Sequence, residues 1–498
     1  MAGQHYLAVD LGAESGRIMR GTVSEGGGGI TLEEVHRFPN IAVRVPGDGG
    51  GKTLTWHWDI LRLWHEIQHG IHKAAQGHQV HGIGVDTWGV DFGLLDESGT
   101  LLGNPVCYRD LRTDGIPEQV YARFPKDRLY ATTGIQSMFF NTLYQIASMS
   151  LRGDATFQHA KTLLFTPDLI AYWLTGVARN EYTIASTTMM LDARTRTWLD
   201  DLLAAIGVPR SLFPELIMPA TAQSTIGMVQ ASLLESLGLN KGARVPVLAV
   251  GSHDTASAVA AVPAQGEDWL YISSGTWSLL GAEVAQPVLS PRAFELNLTN
   301  EGGIGGTIRL LKNIAGLWLV QECRRTWAKA GQEYDYATLT KMAEGASPHL
   351  AFINPDEPEF AQPGDMPARI VDHCRKTGQA VPQDPGQFVR VILESLAVVY
   401  ARTRNMLEEV TGRKFTKLHI VGGGSQNHLL NQLAADATGL TVIAGPVEAT
   451  ALGNIMSQAI STGQLGSIAQ GRALIAQTPG LKTCMPRDTA KWQQRIKG

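Results

Sequence analysis

YLAVDLGAESGRIMRGTVS, residues 6–24, sets two apolar runs around a turn of glycine and small polar residues. That pattern predicts two strands joined tightly, and ITLEEVHRF (30–38) predicts a third. LYISSGTWSLLGAEV (270–284) repeats the layout of apolar run, small polar turn and apolar run. The identity is slight, so an internal duplication is suggested rather than spelled out. Between the two lie an amphipathic helix, a strand-like segment VHGIGVDTWGVDFGLLD (80–96) that holds Asp86 and Asp91 in apolar surroundings, and helical stretches around 143–151 and 167–176. VPVLAVG (245–251) reads as a buried strand. KLHIVGGGSQNHLLNQLAADATGLTVIAGP (417–446) reads strand, three glycines, helix, strand, and VEATALGNIMSQAI (447–460) reads as a helix. Both halves alternate strands with helices, which predicts an α/β protein. The texture changes near 243–250, which divides the chain into 1–246, 247–465 and a peripheral tail, 466–498.

The bulk properties narrow the function. The chain has 498 residues, 44% hydrophobic and 18% charged, with net charge −4 and pI ≈ 6.4. It has room for two or three domains and lacks the basic face of a nucleic-acid binder. No apolar run reaches the roughly 18 residues of a membrane span, and MAGQHYLAVDLG lacks the basic start of a signal peptide. Cys107, Cys323, Cys374 and Cys484 are far apart with no C-x-x-C, which argues against a zinc site or disulfide framework and fits a reducing cytoplasm. The 54 glycines suggest tight turns and loops where backbone approaches a ligand.

Two motif matches fail on context. GDGGGKT (47–53) has Pro46 where a phosphate-binding P-loop needs glycine, and a strand-like LTWHWD follows it instead of a helix. HEIQH (65–69) matches the zinc-protease helix motif. However, Ile60, Leu63, Trp64, Ile67 and Ile71 mark that helix's buried face, His65, His69 and His72 share a solvated stripe, and no third ligand is evident.

A phosphoryl transfer without a P-loop still needs backbone N–H groups around the phosphates, a carboxylate for magnesium and another to accept the attacking hydroxyl's proton. In DLGAESGR, Gly12 and Gly16 would let backbone approach closely, Ser15 and Arg17 add phosphate donors, and Asp10 suits Mg²⁺ or its waters. SSGTWS (273–278) would be a second phosphate hairpin with the Thr276 hydroxyl as donor, and VGGGSQN (421–427) could hold adenine or ribose against bare backbone. Each of these also reads as an ordinary turn. GSHDTASAVAAV (251–262) places Asp254 at a predicted helix start among small residues that leave room for a sugar. It could be a plain N-cap or a general base.

DLGAESGR, DTWGVDF, YRDLRT, GIQSMFFNTLYQ, EYTIASTT, SHDTASA, SSGTWSL, LTNEGG, LKNIAGLWLVQE, HIVGGGSQN and GPVEATALGN resemble, in order, the FGGY carbohydrate kinases over roughly residues 5–465. The resemblance implies two duplicated actin-like (ribonuclease H-like) α/β domains with ATP and sugar in the interdomain cleft, closing over the sugar. It implies ATP- and Mg²⁺-dependent phosphorylation of L-rhamnulose at its 1-hydroxyl, with L-fuculose or a pentulose as alternative ketoses. By position Asp254 matches the proton acceptor, and His253 and Thr255 lie beside it at the sugar. Gly89 and Asn313 match sugar contacts. Ala13, Glu14, Ser15, Gly16 and Arg17 match the first phosphate loop and Thr276 the second, Gln321 and Gly423 match nucleotide contacts, and Asp10 matches the acid near magnesium. Glu14 sits awkwardly in a phosphate loop, because a carboxylate repels phosphate. Trp88, Phe92, Phe139 and Phe140 are candidates to pack on the sugar's methyl. Two readings of other classes stand beside this one: an actin-fold ATPase acting as a chaperone or cytoskeletal switch, and a sugar sensor without turnover. Whether the chain is a monomer or a homo-oligomer stays open.

Overall fold

The computed structural model describes residues 3–47 and 54–497, so nearly all of the GDGGGKT stretch lies outside the described residues. By contact the chain forms two units. The first comprises 1–261, 284–310 and 449–477, and the second 262–283, 311–448 and 478–498. The division expected at 246/247 thus falls at 261/262, and the helix carrying Asp254 belongs to the first unit.

The first unit is built on one sheet. Its strands are β1 (Gly3–Leu11), β2 (Ser15–Ser24), β3 (Ile30–Pro39), β4 (Val80–Thr87), β5 (Thr225–Met228) and β6 (Pro246–Leu248), in spatial order β3-β2-β1-β4-β6-β5. β1 pairs antiparallel with β2 and parallel with β4. Residues 6–11 of β1 are buried on both faces, which is why the segment reads as a nearly unbroken apolar run instead of an alternating one. Helix Ile60–Ala75 covers one face with Ile60, Leu63, Ile67 and Ile71, as the spacing predicts, while Trp64 stays half-buried.

Helix Ala449–Ser461 covers the other face, and it comes very close. A Cβ on Gly84 of β4 would lie 2.4 Å from Asn454 Oδ1, and one on Gly21 of β2 would lie 2.5 Å from Ile455. The same helix meets the backbone of helix Asp254–Ala260, where a Cβ on Gly453 would sit 1.8 Å from Ser257 O. These glycines are bare so that helices can pack against strand and helix backbone. The glycine surplus therefore serves close packing as well as the turns and ligand loops expected of it.

The second unit repeats the plan. β7 (Trp269–Ser274), β8 (Trp277–Val284), β9 (Ile308–Ala315), β10 (Lys417–Val421), β11 (Thr441–Ala444) and β12 (Lys482–Cys484) run in the order β9-β8-β7-β10-β11-β12, and a seventh strand, Thr299–Gly302, lies beside β9 at the edge of the sheet. The first strand is again antiparallel to its hairpin partner and parallel to the strand on its other side. The last strand is antiparallel to its neighbour in both units. Six strands of the second sheet thus follow the order of the first, and the four pairings from β8 to β12 match it in sense, which supports the suggested duplication. Helix Pro385–Thr411 backs this sheet, with Tyr400 Oη 2.7 Å from Ser278 Oγ of β8. Residues 466–498, expected as a peripheral tail, supply β12, a helix at Ile468–Ala476 and the buried Trp492.

One buried carboxylate ties down the turn before residue 254. Glu181 Oε2 accepts from Ser252 N (3.2 Å), Ile184 N (3.1 Å) and Thr183 Oγ1 (2.6 Å), and Oε1 accepts from Thr183 N (2.8 Å). Thr183 Oγ1 in turn accepts from His253 N at 3.2 Å. Burial pushes the Glu181 carboxyl up to about 7 from 4.5.

Two outcomes follow. Gly453→Ala should lower unfolding free energy by about 2 kcal/mol or more, since the added methyl meets backbone that cannot rotate away; an unchanged urea midpoint would contradict the packing. Glu181 holds its proton more tightly when folded, so its contribution is present at low pH and is lost as pH rises through about 7. Across that window the wild type should lose up to ~3 kcal/mol relative to Glu181→Gln. A pH-independent difference in urea unfolding between pH 5 and 8 would refute this.

Candidate active site

In the first unit the ends of β1 and β4 bring two carboxylates side by side, because the parallel register pairs Asp10 with Asp86. Arg17, opposite Asp10 across the hairpin, donates from Nη2 to Asp10 Oδ2 at 2.6 Å. Asn454 Nδ2 donates to Asp86 Oδ2 at 2.6 Å, while Asp86 Oδ1 is buried with no hydrogen-bond partner. Burial and the neighbouring Asp10 raise the Asp86 carboxyl well above its ordinary range.

The turn between β1 and β2 closes through Gly12 N to Ser15 O at 2.9 Å, and Asn40 braces it by donating Nδ2 to Gly12 O (2.8 Å) and N to Glu14 O (2.9 Å). Ala13 packs against the core, and Glu14 and Ser15 are half-buried. At Gly16 packing accounts for the missing Cβ. A Cβ there would lie 2.3 Å from the Phe38 ring and 2.7 Å from Leu11, so its bareness serves packing. Gly12 faces only Ser15 O at 3.4 Å and remains the approachable glycine.

Asp254 opens helix Asp254–Ala260, but the N-cap position belongs to His253. The Asp254 carboxylate is therefore not used as the helix cap. Its Oδ1 accepts from Thr255 N (2.5 Å) and Thr255 Oγ1 (3.2 Å), and the side chain keeps 30% of its surface open. Desolvation raises this carboxyl above the ordinary aspartate range, His253 opposes the rise and Asp10 adds to it. His253 is buried, with Nε2 3.6 Å from Asp254 Oδ1, and its backbone bridges to Thr87. Gly89 leaves room for that ring, since a Cβ would lie 3.3 Å from His253 Nε2. Asp10, Asp86, Gly89, His253, Asp254 and Thr255 thus share one end of the first sheet.

The aromatic candidates separate. Trp88 and Trp58 both donate to Asp91 Oδ2 (3.0 and 2.6 Å), with ring centres 4.4 Å apart, and Phe92 is buried in the core. Phe139 and Phe140 meet edge-to-face at 5.0 Å and keep partial exposure.

In the second unit Thr276 lies in the β7–β8 turn, where Gly275 N donates to Trp277 O at 2.8 Å and Gln321 Nε2 donates to Thr276 Oγ1 at 3.3 Å. Gln321 Oε1 is buried without a partner. Asn313 is half-buried on β9. Gly423 is exposed, and nothing lies within 4 Å of where its Cβ would be, whereas its neighbours Gly422 and Gly424 are pressed against Ser274. The expected nucleotide contacts Thr276 and Gln321 touch each other, and Gly423 stands at the end of the adjacent strand β10.

The zinc-protease motif leads nowhere. His65 and His69 are exposed, Glu66 binds His36 at 2.7 Å, and the one trio able to hold a metal among the described residues is Glu357, Glu359 and His373. All four cysteines are free. No described helix is long and apolar enough to cross a membrane. Asp86, Glu181, Glu301 and Arg309 lie in or under the site; the first three fall inside motifs read from the sequence, yet those motifs assign them no role, and Arg309 lies outside every motif.

The N-terminal domain of the FGGY family of carbohydrate kinases matches residues 6–261 and its C-terminal domain matches 270–462. A rhamnulokinase of Bacteroides thetaiotaomicron is 44% identical over 98% of this chain and 97% of its own, and one of Enterococcus faecalis is 43% identical over 94% and 92%. Among solved structures, gluconate kinase of Lactobacillus acidophilus superposes with TM-score 0.77 at 16% identity, covering all of this chain and 96% of its own. Plasmodium falciparum glycerol kinase with ADP superposes with TM-score 0.75 at 14% identity, over 99% and 96%. The chain therefore belongs to the FGGY family of carbohydrate kinases.

Proposed function

We propose that the protein transfers the γ-phosphoryl group of ATP to the 1-hydroxyl of L-rhamnulose, giving L-rhamnulose 1-phosphate and ADP, as a cytoplasmic step of L-rhamnose breakdown. The observation that carries the reading is Asp254, a carboxylate at a helix start that is not the N-cap residue, faces partly open space and is flanked by the small Ser252, Thr255 and Ala256. Full-length relatives named rhamnulokinase favour this ketose over L-fuculose or a pentulose. They also favour a kinase over an actin-fold chaperone or a silent sugar sensor.

Asp254 accepts the proton of O1 as that oxygen attacks the γ-phosphorus and the bond to ADP breaks. His253, Thr255 and Gly89 hold the sugar beside it, with Asn313 as a further sugar contact. The N–H groups of residues 13–17 and the Thr276 turn serve the phosphates, and Gln321 and Gly423 serve the nucleotide. The orphaned, buried Asp86 Oδ1 next to Asp10 fits a divalent cation or its water shell. Bound magnesium would neutralise charge on the transferring phosphates. The chain's own part is to present Asp10 for that ion while Arg17 holds the carboxylate in place. Phe139 and Phe140 are the aromatics left to meet the sugar's methyl group.

Asp254→Asn should lower kcat by about 10²-fold or more with the fold intact; near wild-type turnover in an ADP-release assay would reject Asp254 as the base. In the same assay kcat/KM should fall about 10- to 200-fold from L-rhamnulose to a ketose lacking the methyl, such as L-xylulose. A preference for L-xylulose or L-fuculose would reassign the substrate.

A further inference from the structure

Arg309 heads the fully buried large side chains among the described residues. A guanidinium out of water is costly unless its protons are taken up. Its Nε donates to Gly302 O at 2.9 Å. Its Nη2 lies 3.0 Å from His253 Nδ1 and 3.2 Å from Glu301 Oε2, and those two atoms are 3.3 Å apart. Glu301 is 4% exposed and His253 8%. The three side chains form a closed triangle, whose His253 Nε2 lies 3.6 Å from Asp254 Oδ1.

Donor and acceptor roles in that triangle are constrained. Guanidinium can only donate, and the carboxylate can only accept. With Arg309 aimed at Nδ1, that nitrogen must offer its lone pair, so the neutral ring carries its proton on Nε2. The opposite tautomer would set an N–H against the Arg309 N–H and leave a bare Nε2 lone pair facing the Asp254 carboxylate, 3.6 Å away. Glu301 supplies the counter-charge, so the guanidinium adds no net cation beside the base.

We propose that Arg309 and Glu301 are positioning residues that fix His253 with its proton on Nε2, directed at Asp254 and at the sugar hydroxyl that Asp254 deprotonates. The proposal rests on Asp254 being the base. Neither residue touches the substrate. Their effect passes through the imidazole, which donates a hydrogen bond along the edge where O1 and the carboxylate meet.

The test uses the full-length protein. Nitrogen-15 shifts of the His253 ring, assigned by loss of its signals in His253→Gln, report the tautomer in the wild type directly. The expected result is a protonated Nε2 and an unprotonated Nδ1. Arg309→Met should move the proton to Nδ1, facing Glu301, and lower kcat by about 10²-fold with KM for ATP changed less than about threefold, whereas Arg309→Lys should recover much of the loss. Glu301→Gln should also lower kcat at unchanged KM for ATP, and it carries the kinetic test if Arg309→Met does not fold. A wild-type ring protonated on Nδ1 would overturn the proposal, as would folded variants with full kcat or a loss confined to KM for ATP. Turnover retained in Asp254→Asn would instead sink the base assignment, which separates the two failures.

Discussion

Two carboxylates, Asp10 and Asp86, stand abreast at the ends of neighbouring parallel strands, both buried. Like charges so placed repel, and burial penalises each. The fold answers them differently. Asp10 receives a guanidinium from the opposite side of its hairpin, whereas Asp86 receives an amide from a helix 368 residues away in sequence. That amide arrives only because helix Ala449–Ser461 lies against the bare backbone of Gly84 and the helix bearing Asp254 meets the same helix at Gly453. The spacing of acid groups and the pattern of packing glycines are therefore one constraint. Enlarging any of those glycines would move the carboxylates.

The duplicated sheets divide the work unevenly. In the first unit the hairpin turn is braced by Asn40 and its strand ends carry acids, which suits metal and proton chemistry. In the second the matching turn carries Thr276 and Gln321, and the adjoining strand ends in exposed Gly423, which suits holding a nucleotide by neutral donors and bare backbone. On the proposed function the same topology would serve two chemistries through the side chains at its strand ends.

Much of this is legible in the chain itself. The β1–β2 hairpin, the third strand, the amphipathic helix at 60–75 and Asp254 among small residues all carry local patterns, and the structure places them as read. The ordered motifs identify the family even where single motifs are ambiguous. Other features carry no local pattern. Gly16 looks like a ligand-facing glycine because sequence cannot show Phe38 lying over it. Glu181 and Arg309 act on residues about 70 and 56 positions away through buried hydrogen bonds, and one charged residue in an apolar run does not announce its partner. The closing residues 466–498 read as a peripheral tail because a strand of three residues leaves little pattern, yet β12 is paired with β11 in the second sheet.

The first unit is finished by residues 449–477, which follow most of the second unit along the chain. Until they emerge, the inner face of β1, β2 and β4 and the flank of the helix at 254–260 have nothing to bury them. About 160 residues of the second unit, 262–283 and 311–448, are made in the meantime. Non-local closure of this kind is slow and leaves apolar surface open during synthesis. A fragment cut after residue 261 would keep its sheet strands and its acids but lose Asn454, so trimming the chain at the obvious domain edge would leave an uncovered sheet and an uncompensated Asp86.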